Sequence, residues 1–284
     1  MKLLRYGAPG QEKAGALDDD GRLRDLSPLV PDLTPEWLAP ERLRALAAIR
    51  LERMPLVEGR PRLGVPIAGV RQFVCIGLNY RKHAEEADLP IPQEPVVFTK
   101  ALTSLSGPDD DVVLPPDALE ADWEIELGVV IGSTARQVAV ADALAHVAGY
   151  CLANDVSERR WQFQHNGQWG KGKSFDTFGP VGPWLVTTDE IPDPQALDMV
   201  LRVNGETRQR SNTADMIFSV AELVSYLSRF MTLLPGDIVI TGTPQGVGLG
   251  MKPPLYLKPG DLMTLEIAGL GTQTQRVVAS RAAA

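Results

Sequence analysis

Trp123-Glu124-Ile125-Glu126-Leu127-Gly128-Val129-Val130-Ile131 is the stretch that decides how this chain is read. Its β-branched residues favour a strand, and along a strand successive side chains point to opposite faces. Ile125, Leu127, Val129 and Ile131 then share one face, which must meet a core, while Glu124 and Glu126 share the other. Two carboxylates held side by side repel, and a divalent cation is the simplest compensation. A solvated sheet edge carrying two ordinary glutamates fits this segment equally well, because antiparallel sheets commonly alternate apolar and polar faces.

A second segment shifts the balance. Gly149-Tyr150-Cys151-Leu152-Ala153-Asn154-Asp155 is an apolar run that ends in an acid, so Asp155 offers a third oxygen ligand at a strand end. Three carboxylates suit a hard octahedral cation, Mg²⁺ with Mn²⁺ as the alternative, whereas zinc would call for His or Cys ligands. The chain has 3 histidines, and none stands at ligand spacing from another.

One of them has a different partner. Cys75-Ile76-Gly77-Leu78-Asn79-Tyr80-Arg81-Lys82-His83-Ala84-Glu85-Glu86 reads as a strand, a Gly turn and a short polar helix. On a helical turn His83 and Glu86 fall on one side, where the carboxylate can orient the imidazole and hold the tautomer that takes a proton from water. A histidine near a turn is also a common surface residue. His146 and His165 read as structural or lid residues.

Outward from these segments the texture is mainly β with inserted helices (α+β), made of short runs broken by Gly and Pro from Gln72 onward. Strands are expected at Phe73 to Gly77, Trp123 to Ile131, Pro183 to Val186, Met199 to Val203, Asp237 to Thr241 and Met263 to Ile267. Pro235-Gly236-Asp237 and Pro259-Gly260-Asp261 supply type II turns ahead of the last two. Residues 219–230 predict a helix, with Ser219 and Glu222 as a capping box and Val220, Leu223, Val224, Leu227 and Phe230 as its apolar stripe.

Residues 1–70 read as a small N-terminal β/α module ahead of a catalytic domain at 71–284. Leu3 to Tyr6, Ala14 to Leu17 and Leu23 to Leu26 are its strand candidates, with Asp20-Gly21 as a hairpin turn. Thr34 caps a helical start with Pro35 at its first position, and Leu43, Leu46 and Ile49 form a stripe after Pro40. Pro61 to Gly69 reads as a linker.

Bulk composition bounds the function. A chain of 284 residues, 44 % hydrophobic, can bury a substantial core. A net charge of -8 argues against a nucleic-acid surface, and Lys171 with Lys173 is too small a cluster to follow a phosphate backbone. The longest apolar runs, Leu127 to Ile131 and Ile238 to Ile240, fall far short of the roughly 20 residues of a membrane span. Met1-Lys2-Leu3-Leu4-Arg5 lacks the features of a secretory signal, so a cytoplasmic location is expected. Cys75 and Cys151 read as buried free thiols, with their pairing left open.

In their order along the chain, these motifs resemble the fumarylacetoacetate hydrolase family. The matching stretches are Gly77-Leu78-Asn79-Tyr80 with His83 and Glu86, Pro95-Val96-Val97-Phe98-Thr99-Lys100, Glu124-Ile125-Glu126-Leu127 and Asn154-Asp155-Val156-Ser157-Glu158-Arg159. Gly172-Lys173-Ser174-Phe175-Asp176, Asn204-Gly205 and Thr241-Gly242-Thr243-Pro244-Gln245-Gly246-Val247-Gly248 follow. The resemblance runs from about residue 70 to the C-terminus, and residues before it resemble the extra domain of longer bacterial members. It implies a mixed β-sandwich roll, usually a homodimer.

By the same resemblance, Glu124, Glu126 and Asp155 match the metal ligands, and His83 with Glu86 matches the pair that activates water. Lys173 matches a lysine beside the substrate's oxo and carboxylate oxygens, and Arg159, Gln162 and Thr243 fall where members contact substrate. For Lys173 the plain alternative is a solvated surface lysine, and for Thr243 a turn residue beside Pro244.

The implied activity is Mg²⁺-dependent hydrolysis of a C–C bond in a 2,4-dioxo acid, with release of pyruvate. The sequence looks similar to bacterial members that act on 2,4-dioxo-3-deoxy sugar acids, often labelled ureidoglycolate lyase. Oxaloacetate decarboxylation and isomerisation or decarboxylation of hydroxymuconate-type diacids use the same enolate chemistry. A scaffold that binds a cation without catalysis is the non-enzymatic alternative. Specificity is expected from Glu85 to Pro92 and from Gln162 to Lys171.

Overall fold

The structure is a computed structural model, and it describes residues 1–280. Its centre is a long mixed sheet in which Ile125–Ile131 is an interior strand, with Val147–Asn154 antiparallel on one side and Ile238–Ile240 antiparallel on the other. Phe73–Gly77 runs parallel to Ile238–Ile240 and pairs in turn with Val96–Thr99. Gly179–Thr187 borders Val147–Asn154, and its opening Gly179-Pro180 pairs with Leu105-Ser106, which follows Val96–Thr99 in the chain. That last pairing brings the two margins of the central strands together, so the sheet curls into a roll.

Both faces of Ile125–Ile131 are covered. Ile125, Leu127, Val129 and Ile131 pack in a core with Met199, Leu201, Val203, Met263, Leu265 and Ile267 of a second, five-stranded sheet. Val130 points the other way, into a core shared with Phe73, Cys75, Cys151 and Ile240. The solvated-edge reading of Glu124 and Glu126 therefore fails, because every residue of the strand is buried. Regular pairing begins at Ile125, so Glu124 sits just ahead of the strand, where its backbone N–H donates to Asn154 Oδ1 at 3.2 Å. The result is the mainly β, mixed-sheet architecture expected from the sequence.

The N-terminal strands Lys2–Tyr6, Lys13–Leu17 and Leu23–Asp25 form at the expected places. Lys2 and Leu3 pair with Val186 and Leu185, so these strands extend the central sheet, and Leu3, Ala14 and Leu26 share the core of Phe73 and Ile238. Thr34 occupies an N-cap position, but its side chain makes no capping bond and its hydroxyl is buried without a partner. The helical segment splits into a 3₁₀ turn, Pro35–Leu38, and a helix, Pro40–Ala47, which leaves Ile49 beyond its end. Ser219 and Glu222 form the capping box of Val220–Ser228, whereas Phe230 lies past that helix and is exposed.

Cys75 stands opposite Ile240, Ile240 opposite Gly128, and Gly128 opposite Cys151. Three strand spacings of ~4.8 Å each separate the two thiols, well beyond the ~7 Å Cα limit of a disulfide. Both are free and buried. Among the described residues no helix is long and apolar enough to cross a membrane.

Candidate metal and oxo-acid site

The register brings four strand ends to one margin of the roll. Asn154 pairs with Ile125, Ala153 with Glu126, Ile240 with Gly128 and Cys75 with Ile240, so Glu126, Asp155, Gly77 and Gly242 gather there. Glu124, Glu126 and Asp155 each present an oxygen within 4.8 Å of the others, and all three are buried. Gly242 donates its backbone N–H to Glu126 Oε2 at 2.7 Å. It does so with φ +97°, where an added Cβ would stand 2.8 Å from the Asn79 Cβ, so this close approach requires glycine.

Two buried lysines and an arginine meet these acids. Lys173 Nζ donates to Glu124 Oε2 at 2.9 Å and to Asp155 Oδ2 at 2.7 Å. Lys100 Nζ donates to Asp155 Oδ1 at 2.5 Å and to the Val156 carbonyl at 3.2 Å. Arg159 Nη2 lies 2.7 Å from both Asp122 Oδ1 and Glu124 Oε1, while its Nη1 donates to Gln162 Oε1 at 2.9 Å. Lys173 is thus not the solvated surface lysine of the plain reading. Lys100 and Asp122 are missed by sequence reasoning: Lys100 lies 22 or more residues from any acid of the cluster, and only the closing of the roll brings it to Asp155.

The charges do not balance. Burial opposes ionisation of Glu124, but Lys173 and Arg159 outweigh it and hold the carboxyl at about 2. Burial, reinforced by Asp155 and Glu124, pushes Glu126 well above the usual carboxylate range. Burial pushes Asp122 to about 6 against the pull of Arg159. Four carboxylates thus face three cations, and the mismatch falls on Glu126, whose ionisation burial and the neighbouring acids oppose. A donor set of three buried carboxylate oxygens with one charge unmet fits a hard divalent cation, and it lacks the nitrogen or sulfur donors that zinc prefers.

The expected dyad also forms. Arg81–Glu86 is a helix, and His83 Nδ1 lies 3.1 Å from Glu86 Oε2. Glu86 Oε1 accepts the Gly246 N–H at 2.9 Å, which ties the dyad to the chain segment after Gly242. Asp122 Oδ2 accepts the Leu249 N–H at 2.8 Å and Trp123 Nε1 donates to the Gly246 carbonyl at 3.0 Å. The segment bordering the dyad is therefore fixed by Asp122 and Trp123, which immediately precede Glu124 in the chain. His83, Glu124, Arg159, Gln162, Lys173 and Thr243 line one cavity, with an empty volume of ≈ 590 Å³ counted to its open mouth.

Thr243 borders this cavity, but its hydroxyl donates to the Ile125 carbonyl at 3.0 Å and accepts from Gln209 Nε2 at 2.8 Å. Gln209 Oε1 in turn accepts the Ile125 N–H at 2.9 Å. Asn154 Nδ2 donates to Gln275 Oε1 at 3.1 Å, and Gln273 Nε2 to the Leu152 carbonyl at 2.8 Å. Buried glutamines of the second sheet thus hold the strand ends on which the acids stand. Their one trace in the sequence is the alternation Thr272-Gln273-Thr274-Gln275, where inward polar residues interrupt a strand pattern. His146 bonds Ser133 and His165 stacks on Trp161 with ring centroids 4.2 Å apart, so neither joins the cluster.

Comparison with known proteins places the chain in a family. Residues 72–278 match the family described as fumarylacetoacetate (FAA) hydrolase C-terminal. The chain belongs to the fumarylacetoacetate hydrolase family, whose members are enzymes. A Burkholderia multivorans relative, described only as a hydrolase, is 56 % identical over 99 % of this chain and 100 % of its own length. A fumarylacetoacetate hydrolase from Exiguobacterium antarcticum superposes with a TM-score of 0.88 at 37 % identity, covering 99 % of this chain and 100 % of that one. A maleylpyruvate hydrolase from a Sphingobium species gives 0.83 at 31 % identity, with 99 % and 100 % covered. A 5-carboxymethyl-2-hydroxymuconate delta-isomerase from Mycobacterium smegmatis gives 0.76 at 33 %, again with 99 % and 100 % covered.

Proposed function

We propose that this protein is a Mg²⁺-dependent hydrolase, with Mn²⁺ as the alternative ion, that cleaves the C3–C4 bond of a 2,4-dioxo acid and releases pyruvate. The observation that carries the reading is the His83–Glu86 pair opening onto the same cavity as Glu124 and Lys173. Water activation and oxo-acid binding are then neighbours. Glu124, Glu126 and Asp155 would hold the cation, which supplies Lewis-acid polarisation of the oxo-acid head when bound.

The chain's own groups account for the remaining steps. Arg159 and Gln162 border the head-group end of the cavity, where a guanidinium and an amide suit a carboxylate. His83, oriented by Glu86, takes a proton from water, and the resulting hydroxide adds to C4. Collapse of that adduct breaks C3–C4, gives the distal half as a carboxylic acid and leaves the electron pair as an enolate on the C2 oxygen. Lys173 Nζ, a fixed cation whose pKa burial lowers but Asp155 and Glu124 raise further, stabilises that oxyanion. Protonation at C3 then yields pyruvate.

The second reading is isomerisation of a hydroxymuconate-type diacid, supported by the likeness to the Mycobacterium smegmatis isomerase. It shares the enolate but needs no attacking water. Oxaloacetate decarboxylation and ureidoglycolate cleavage stand behind it, and the sequence resemblance favours a homodimer and a sugar-acid-derived distal half.

A turnover screen tests the reading, following pyruvate from 2,4-dioxo acids, CO₂ from oxaloacetate and the absorbance shift of a dienoate, each with and without chelator. Pyruvate release that stops with chelator is the expected result. Glu126→Ala should lose both Mg²⁺ binding and turnover, and His83→Ala should keep Mg²⁺ and lose hydrolysis. Full turnover in the His83 variant would remove the assigned base.

A further inference from the structure

The cavity is polar at one end only. Beyond the head-group residues its wall is made by Leu89, Phe98, Phe163, Trp169, Val247 and Leu249. Trp169 meets Phe98 edge-on at 5.5 Å between centroids and Phe163 at 6.1 Å, so three aromatic rings form one continuous surface. Gly77 makes room for it: a Cβ there would stand 2.4 Å from the Trp169 ring. Phe98 joins the two ends, because Lys173 Nζ lies 5.3 Å from its ring centroid.

The mouth continues this character. Leu89, Phe163 and Leu249 are 47 %, 46 % and 37 % exposed. Large apolar side chains left in water around a cavity gain free energy when an apolar ligand group covers them. Among the described residues no Lys or Arg other than Arg159 and Lys173 lines this cavity, and both of those are already engaged with Asp122, Glu124 and Asp155. A terminal carboxylate would therefore reach an apolar wall without a counter-charge. A polyhydroxylated chain would lose its water there without hydrogen-bond partners, which costs more than it returns.

We infer that the substrate's distal half is an apolar acyl group, alkyl or aryl, and that neither sugar-acid chains nor dicarboxylic acids are preferred. This rests on the 2,4-dioxo-acid reading and departs from the sugar-acid assignment within it. Phe98, Phe163 and Trp169 are then specificity residues that select the leaving acyl group while the polar end performs the chemistry.

The test is kcat/KM over 2,4-dioxo acids with one head group and four distal groups: methyl, butyl, phenyl and a terminally carboxylated chain, with a 2,4-dioxo-3-deoxy sugar acid beside them. Each methylene buried against the wall should raise kcat/KM by about fourfold, so butyl should exceed methyl by tens-fold. The carboxylated and hydroxylated members should fall at or below methyl. Trp169→Ala should reduce the butyl-to-methyl ratio at least tenfold. Leu249→Arg, a change at a partly exposed position, should raise the ratio of carboxylated to butyl substrate. A sugar acid or diacid turned over faster than the butyl compound, or a ratio unmoved in both variants, would overturn the inference and leave the hydrolase reading standing. No pyruvate from any member would instead remove the hydrolase reading itself.

Discussion

Glu86→Gln isolates the dyad from the rest of the site. Glu86 accepts two hydrogen bonds, from His83 Nδ1 at 3.1 Å and from the Gly246 N–H at 2.9 Å. In glutamine one of those oxygens becomes an amide nitrogen that only donates. Gly246 is a fixed backbone donor and keeps the remaining oxygen, so the amide N–H₂ faces His83 Nδ1. The imidazole must then carry its proton on Nε2, the nitrogen that has to receive the proton of water. A hydrogen bond to a charged partner contributes about 1.5–3 kcal/mol, which at 1.36 kcal/mol per tenfold corresponds to a kcat lower by about 10- to 150-fold. Side-chain exposures of 14 % for His83 and 21 % for Glu86 leave the pair only partly screened by water.

KM should stay within about threefold, because the groups that hold the oxo-acid make no contact with Glu86. Mg²⁺ affinity by calorimetry should not change. Steady-state pyruvate release checks the first two quantities. A kcat within about threefold of the parent would refute the reasoning, since a 1.5 kcal/mol loss cannot leave so much rate. A fall in Mg²⁺ affinity would place Glu86 in the cation site instead of beside the base.

Lys173→Met should lower Tm without divalent ion, because breaking a buried ion pair costs about 3–5 kcal/mol, and Mg²⁺ should raise Tm by more in the variant than in the parent, since Lys173 then no longer shares the carboxylates. An equal or smaller rise, read by calorimetry, would contradict that sharing. Asp18 is raised by burial but lowered more by the Arg22 N–H and the guanidinium groups of Arg24 and Arg22, to about 2 from 3.8. A depressed carboxyl contributes stability that is complete above pH 3.8 and lost as pH falls towards 2. The Tm difference between parent and Asp18→Asn should therefore be largest near neutrality and shrink below about pH 4; a difference that grows on acidification would reverse the sign. Leu152→Ala, at a fully buried position in the core between the sheets, should cost about 2–5 kcal/mol, seen as a lower denaturation midpoint.

The sequence alone determined the elements and the chemistry of the ligands. The period-two alternation of 123–131 identified a strand with Glu124 and Glu126 on one face, because side-chain direction in a strand is a local property of the backbone. The His83–Glu86 spacing was legible for the same reason, as was the capping box at Ser219 and Glu222. Local rules also had local failures: Thr34 has the right residue type and position for a cap, yet its hydroxyl bonds nothing. What only the tertiary structure decided is whatever depends on which strands become neighbours. The pairing of Ile125–Ile131 between two other strands turned an ambiguous acidic face into a buried one. The closing of the roll brought Lys100 to Asp155, and the second sheet brought Gln209 to Ile125. The apolar character of the cavity wall belongs to the same class, because Phe98, the segment carrying Phe163 and Trp169, and Leu249 are distant in sequence and each reads alone as an ordinary core or surface residue. Contacts between residues far apart in the chain are set by packing and register over the whole molecule, and no single segment carries them.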